Sequence, residues 1–298
     1  MIEGRGAKAA VCALVTVLVL LIAVGVIYYN KVYIPSFEQD AAESTSYSPR
    51  KNTPQRAGTR TRIAQDSRNH IELYKDGDFI ILIHNGAETE YTDWAENFGS
   101  IQTDLYYGDY NDDGLDDIIV LDVEGEDEDT GLPLHGLYVL AAEGSGETLS
   151  YKVNYISSAD WKNMFNEIVN CYLNQPQAYP RLLQFVMDYT GESVPIDSDT
   201  GLVADDHTAW YTNVLRSESG EYYTLDSLST GPAVFEYDAG SQFANAYINI
   251  YAVYTNGETQ LIGSIESGIS LAEDGFSIRR QSVSFEPESS VAADAPQR

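Results

Sequence analysis

Residues 108–122 read GDYNDDGLDDIIVLD, placing Asp109, Asn111 and Asp113 at alternate positions, then Gly114, then Asp117, then an apolar run. That order suits a hard cation. Calcium takes about six to eight oxygens at roughly 2.3–2.6 Å, and alternate positions of a tight loop can aim their side chains inward. Asp109, Asn111, Asp113 and Asp117 supply side-chain oxygens, Leu115 supplies a backbone carbonyl, and Gly114 permits the sharp turn. Without a cation, each carboxylate pair held at ~4 Å costs about 4 kcal/mol at an effective dielectric near 20. The spacing therefore predicts structural Ca2+ beside a buried strand.

An EF-hand does not account for it. Its twelfth position falls on Val120, where a bidentate Glu is needed, and residues 103–108 (TDLYYG) are not helical in pattern. The stretch GDYNDDGLDDIIV instead resembles the FG-GAP (VCBS-type) repeat, G-D-x-N-x-D-G-x-x-D followed by a hydrophobic strand. Further on, LYVLAAEGSGETLSYKV resembles the strand–turn–strand that completes such a repeat. The likeness spans residues 106–151 and occurs once. It implies calcium ligands at Asp109, Asn111, Asp113, Asp117 and the Leu115 carbonyl. It also implies a place among extracellular β-structures associated with adhesion or carbohydrate contact. A propeller needs at least four signature-bearing blades, so the metal loop is carried over and the propeller is not.

Other chemistry is sparse. His70, His84, His135 and His207 lack metal-ligand spacing, and no nucleophile elbow, phosphate loop or dinucleotide fingerprint occurs. The Ser-x-x-Lys match at residues 48–51 stands without partner motifs. Two cysteines, Cys12 and Cys171, build no disulfide framework, and Cys171 reads as a small core or flanking residue. Two further acidic stretches, 124–131 and 197–206, read as surface loops. A glycosidase needs two carboxylates placed in space, and sequence neither supplies nor excludes them.

The elements that must hold the loop are mostly strands. Asp76-Gly77, Asn85-Gly86 and Asn256-Gly257 mark hairpins. Residues 118–122, 136–143 and 149–156 read as strands, and the continuous IIVL implies burial on both faces. From Trp161 the apolar spacing becomes three and four, predicting an amphipathic helix with Ser158 as N-cap, then a second helix from Pro180 to Gly191. Strand patterns return in WYTNVLR, EYYTLDSL, AVFEYD, AYINIYAVY and TQLIGSI, and residues 276–286 predict a last, bulged strand. The expected fold is mainly β (α+β): an antiparallel β-rich ectodomain with an inserted helical pair. β-rich regions are expected at 69–157 and 192–286, the helical pair at 158–191 and a disordered tail at 287–298.

Ahead of this, residues 9–29 form 21 uncharged positions, about 31 Å as a helix, enough for the ~30 Å hydrocarbon core. They are expected to be a retained single-pass transmembrane helix after a cytoplasmic tail at 1–8, the alternative being a cleaved signal peptide. Residues 30–68, rich in Ser, Thr, Pro and Arg, read as a flexible basic linker reaching on the order of 35 Å. The net charge is −29, and residues 69–298 hold 8 Lys/Arg against 41 Asp/Glu. Such a surface repels nucleic-acid phosphate. The expectation is a membrane-anchored, extracytoplasmic, calcium-stabilised binding or adhesion module with a surface glycan or protein partner. The alternatives are a hydrolase acting on glycan or wall polymer, and an accessory or sensory subunit of a membrane complex.

Overall fold

Two hairpin turns begin the folded chain. Gly77 (φ 62°) closes one, and Asn85 and Gly86 (φ 51° and 82°) close the next, the left-handed values that favour these residue types. They link β2 (Ile71–Asp76), β3 (Phe79–His84) and β4 (Ala87–Tyr91), and with β1 (Thr61–Asp66) these make a four-stranded antiparallel meander. The computed structural model describes residues 54–92, 94, 98–144, 146–189, 197–203, 208–216, 222–238, 240–273, 275–288 and 292–293. The expected tail at 1–8, the span at 9–29 and the linker as far as residue 53 lie outside the described residues. Among the described residues no helix is long and apolar enough to cross a membrane.

A second meander follows: β5 (Gln102–Gly108), β6 (Asp117–Glu126), β7 (Pro133–Glu143) and β8 (Ser150–Ser157). Helix α1 (Ser158–Ile168) leads into β9 (Val169–Asn174), β10 (Leu182–Tyr189) and β11 (Thr208–Thr212), which form a third sheet edged by β17 (Ala292–Ala293). The fourth sheet runs in chain order through β12 (Val214–Arg216), β13 (Tyr222–Asp238), β14 (Phe243–Tyr254), β15 (Thr259–Ala272) and β16 (Gly275–Pro287).

The second sheet is the middle layer. Ile118, Val120, Tyr138 and Leu140 pack with Ile71, Leu73, Ile80 and Leu82 of the first sheet. Their neighbours Ile119, Leu121, Leu137 and Val139 point the other way, into a larger core with Trp161, Phe165, Phe185 and the Ala/Ile face of β14. Successive strand side chains take opposite faces, so a strand buried on both sides must be apolar throughout, as IIVL is.

The sequence expectations need correcting in four places. The helical pair at 158–191 is one helix and two strands. Trp161 and Phe165 form the expected buried stripe, but Val169, Leu173, Phe185 and Met187 belong to paired strands. A short apolar run such as LLQFVM satisfies both periods, and paired strands on either side decide it. The helix cap lies one residue earlier than expected: Ser157 accepts from the Asp160 N–H, while the buried Ser158 Oγ binds the His135 and Ala233 main chain. The linker ends sooner than residue 68. β1 lies within it, the Gly58 N–H donates to Asp76, and Arg60 grips both oxygens of Glu88. Its positive charge is drawn to acids of the first sheet. Finally, the expected disordered tail contains β17, which pairs with Trp210 and Tyr211.

Candidate functional site

The acidic loop joins β5 to β6 at one end of the middle sheet. Asp112 (φ 58°) and Gly114 (φ 86°) bend it back on itself. A Cβ at Gly114 would meet nothing within 4 Å, so conformation rather than crowding favours glycine there. The side-chain oxygens turn inward. Asp109 Oδ1 accepts from the Asp113 N–H at 3.0 Å and its Oδ2 from the Gly114 N–H at 2.9 Å. Asn111 Oδ1 accepts from the Asp113 N–H at 3.1 Å, and Asp113 Oδ1 from the Leu115 N–H at 2.8 Å. The Asn111 amide donates to Asp113 Oδ2 at 3.0 Å.

Asp117 is placed differently. It is fully buried, with Oδ2 accepting from the Tyr110 N–H at 3.0 Å and Oδ1 from the Ala142 N–H at 2.8 Å. Burial pushes its carboxyl above the usual carboxylate range, opposed by those two donors. Thus Asp109, Asn111 and Asp113 are gathered around the loop, while Asp117 fastens its base to β7. Among the described residues no group of three or more His, Cys, Asp or Glu side chains is placed to hold a metal ion. An all-oxygen donor set still fits calcium chemistry: the Asp109, Asp113 and Asp117 carboxylates, the Asn111 amide oxygen and the Leu115 carbonyl. Both oxygens of Asp109 and both of Asp117 also accept main-chain N–H groups.

The surroundings give the loop leverage over the fold. Tyr106 and Tyr107 precede it and take opposite faces of β5. Tyr106 packs on Tyr237 of β13 with ring centroids 4.4 Å apart. Tyr107 meets His84 of β3 edge-on at 5.6 Å, and the His84 Nδ1 lies 2.8 Å from the Tyr151 hydroxyl of β8. Tyr110, from the loop itself, is buried and donates its hydroxyl to the Ile269 carbonyl of β15 at 3.1 Å. One connection therefore ties the first, second and fourth sheets together.

Two acids farther along β6 are engaged inside the fold. Asp122, fully buried and raised by that burial, accepts from the Gly99 N–H and from Thr103 Oγ1 at 2.6 Å. Glu124 accepts from the Tyr138 and Tyr155 hydroxyls, and burial raises it too. A Cβ at Gly136 would sit 2.2 Å from Glu124 Oε1, so the glycine leaves room for that carboxylate. The two stretches expected as surface loops share one turn, D-x-D-T-G-L. Asp127 Oδ1 accepts from Thr130 N–H and Oγ1, and Asp197 Oδ1 does the same for Thr200. Gly131 and Gly201 have φ of 67° and 69°. Cys171 lies on β9 opposite Met187, its thiol pushed up to about 12 by burial, as suits a core residue.

A feature not singled out in the sequence lies on β14. Its outward positions read Phe243, Asn245, Tyr247, Asn249, Tyr251, and its inward ones Ala244, Ala246, Ile248, Ile250, Ala252. Period-two alternation in FANAYINIYA was the available signal. Compared with known proteins, the chain matches no family model, no curated protein and no solved structure.

Proposed function

We propose that the chain is a calcium-stabilised, β-rich binding module, held at the outer face of a membrane by residues 9–29. The observation that carries this reading is the inward turn of Asp109, Asn111 and Asp113 at the junction of three sheets. The FG-GAP-type order of those residues supports it independently. Bound calcium would supply the positive charge that lets these oxygens stay together. Asp109, Asn111, Asp113, Asp117 and the Leu115 carbonyl would hold it, and the tyrosines on either side would carry the loop's rigidity into the sheets. A module fixed in this way presents its surfaces to a partner.

Calorimetry of the full-length protein tests this. A ligand at 100 times its Kd stabilises by about 2.7 kcal/mol. Millimolar calcium should therefore raise Tm by several degrees over a chelated sample, on the order of 5 °C for a chain of this size. Asp113→Ala should remove most of that rise. A transition that neither calcium nor chelator moves would overturn the reading.

A further inference from the structure

The outward face of β14 alternates an aromatic ring with an asparagine along Phe243, Asn245, Tyr247, Asn249 and Tyr251. Aromatic residues are common in strands, but asparagine is depleted there. Two of them, four residues apart on one face of a central strand, need a reason. Their partners are already in place. The Asn245 amide donates to Glu266 Oε1 at 3.0 Å, the Tyr247 hydroxyl reaches the same oxygen at 3.2 Å, and the Asn249 amide lies 3.4 Å from the Tyr251 hydroxyl. Register sets Glu236 and Val234 on β13, and Ser264 and Glu266 on β15, beside this row.

The neighbouring strand accommodates the row. A Cβ at Gly231 would come 3.2 Å from Tyr251 Cε2, so the glycine lets that ring lie close over β13. Glycine inside a strand often marks such a close approach. At one end, the Arg279 guanidinium sits 3.5 Å over the Phe243 ring and covers it. Tyr247 and Tyr251 are the half-buried rings left along the row. Four residues apart on one strand, they stand about 14 Å from each other, with Asn249 between.

We propose that this face binds a neutral, hydroxyl-rich glycan chain lying along β14. The inference rests on the binding-module reading above and names its partner. The chain's C–H faces stack on Tyr247 and Tyr251, and its hydroxyls exchange hydrogen bonds with Asn245, Asn249 and Glu266. Charge selects the occupant. Glu236, Glu266 and Glu286 flank the row, and the whole chain carries −29, so an anionic polymer or a second copy of this chain is repelled. An apolar peptide would take the Glu266 carboxylate out of water with no opposite charge to replace it, which is costly.

The test is retention of the full-length protein on insoluble cellulose, mannan, starch and chitin, with polygalacturonate and oligolysine as charged probes. Retention by at least one neutral polymer is expected, and Tyr247→Ala and Tyr251→Ala should each weaken it about tenfold. Tyr251→Phe should retain most of it. In case alanine disturbs the sheet, hydrogen exchange of the unaltered protein with a soluble hexaose of the retaining polymer reads the site directly, and protection should concentrate in residues 243–254. No neutral polymer retained, retention only by a charged probe, or protection elsewhere would overturn the proposal. A calcium shift in Tm without glycan retention defeats this inference alone. Retention without a calcium shift defeats only the calcium element of the module reading.

Discussion

His135 stands where three elements meet, and its chemistry makes that junction sensitive to pH. Its Nδ1 accepts from the Phe235 N–H of β13 at 2.8 Å, and its own main chain exchanges hydrogen bonds with Ser158 at the start of α1. A protonated ring has no acceptor to offer Phe235. Burial holds its pKa below the ordinary histidine value, and His84 is lowered by burial as well. When the folded value is depressed, the unfolded chain binds more protons between the two values. The contribution is present above ~6.5 and is lost as pH falls through the folded value, at about 1.4 kcal/mol per pH unit of depression. Asp117, Asp122 and Glu124 are raised and act oppositely: their contribution is present below ~4 and fades as pH rises through their folded values. As pH falls from 7 to 5.5 the two histidines therefore lower Tm and the three carboxylates oppose them. His135→Asn, which keeps an acceptor near the Nδ1 position without titrating, should lose less Tm over that interval than the unaltered protein, by the His135 share. An unchanged slope would remove His135 from the account.

β6 is the element on which the layers depend, because its successive residues serve different cores. Ile118 and Ile119 are both fully buried, one against the first sheet and the other against α1 and the fourth sheet. Either isoleucine changed to alanine should cost about 2–5 kcal/mol in denaturant unfolding. Glu88→Ala, on the exposed strand β4, should leave the midpoint nearly where it was. If only one of the isoleucines matters, the middle sheet is not a shared layer. Burial on both faces was readable from IIVL, since no polar residue interrupts it, and the hairpins were readable because Asn-Gly and Asp-Gly favour one turn geometry. The end of α1 was not. Val169 and Leu173 continue the helical spacing, and only pairing with β10 turns them into a strand. At the loop, the inward turn of Asp109, Asn111 and Asp113 followed from their alternation. The anchoring of Asp117 to β7 did not, because it depends on the Ala142 N–H, which lies 25 residues on. On β14, FANAYINIYA carried its outward row in plain order, but an outward row acquires meaning only when one face is known to be buried.

At the scale of the whole molecule, 41 acids against 8 bases in residues 69–298 put every sheet under mutual repulsion. The arginines just upstream relieve part of it, Arg56 at Asp76 and Glu90, Arg60 at Glu88. Two cation effects must then be separated. Screening is general: raising NaCl from 0.1 M to 1 M shortens the Debye length from ~10 Å to ~3 Å, so Tm should climb in the unaltered protein and in Asp113→Ala alike. The proposed binding in the loop would be local and would take place at millimolar calcium, where ionic strength barely changes, so Asp113→Ala should respond to salt but not to calcium. Magnesium sharpens the contrast, since it demands near-ideal octahedral geometry and gives up water reluctantly; at equal millimolar concentration it should shift the unaltered protein much less than calcium does. Equal shifts by the two ions, or a calcium response in Asp113→Ala as large as in the unaltered protein, would mean that calcium acts as a counter-ion spread over an acidic surface. In that case the junction of the three sheets is held by Tyr106, Tyr107, Tyr110 and the main-chain bonds to Asp117.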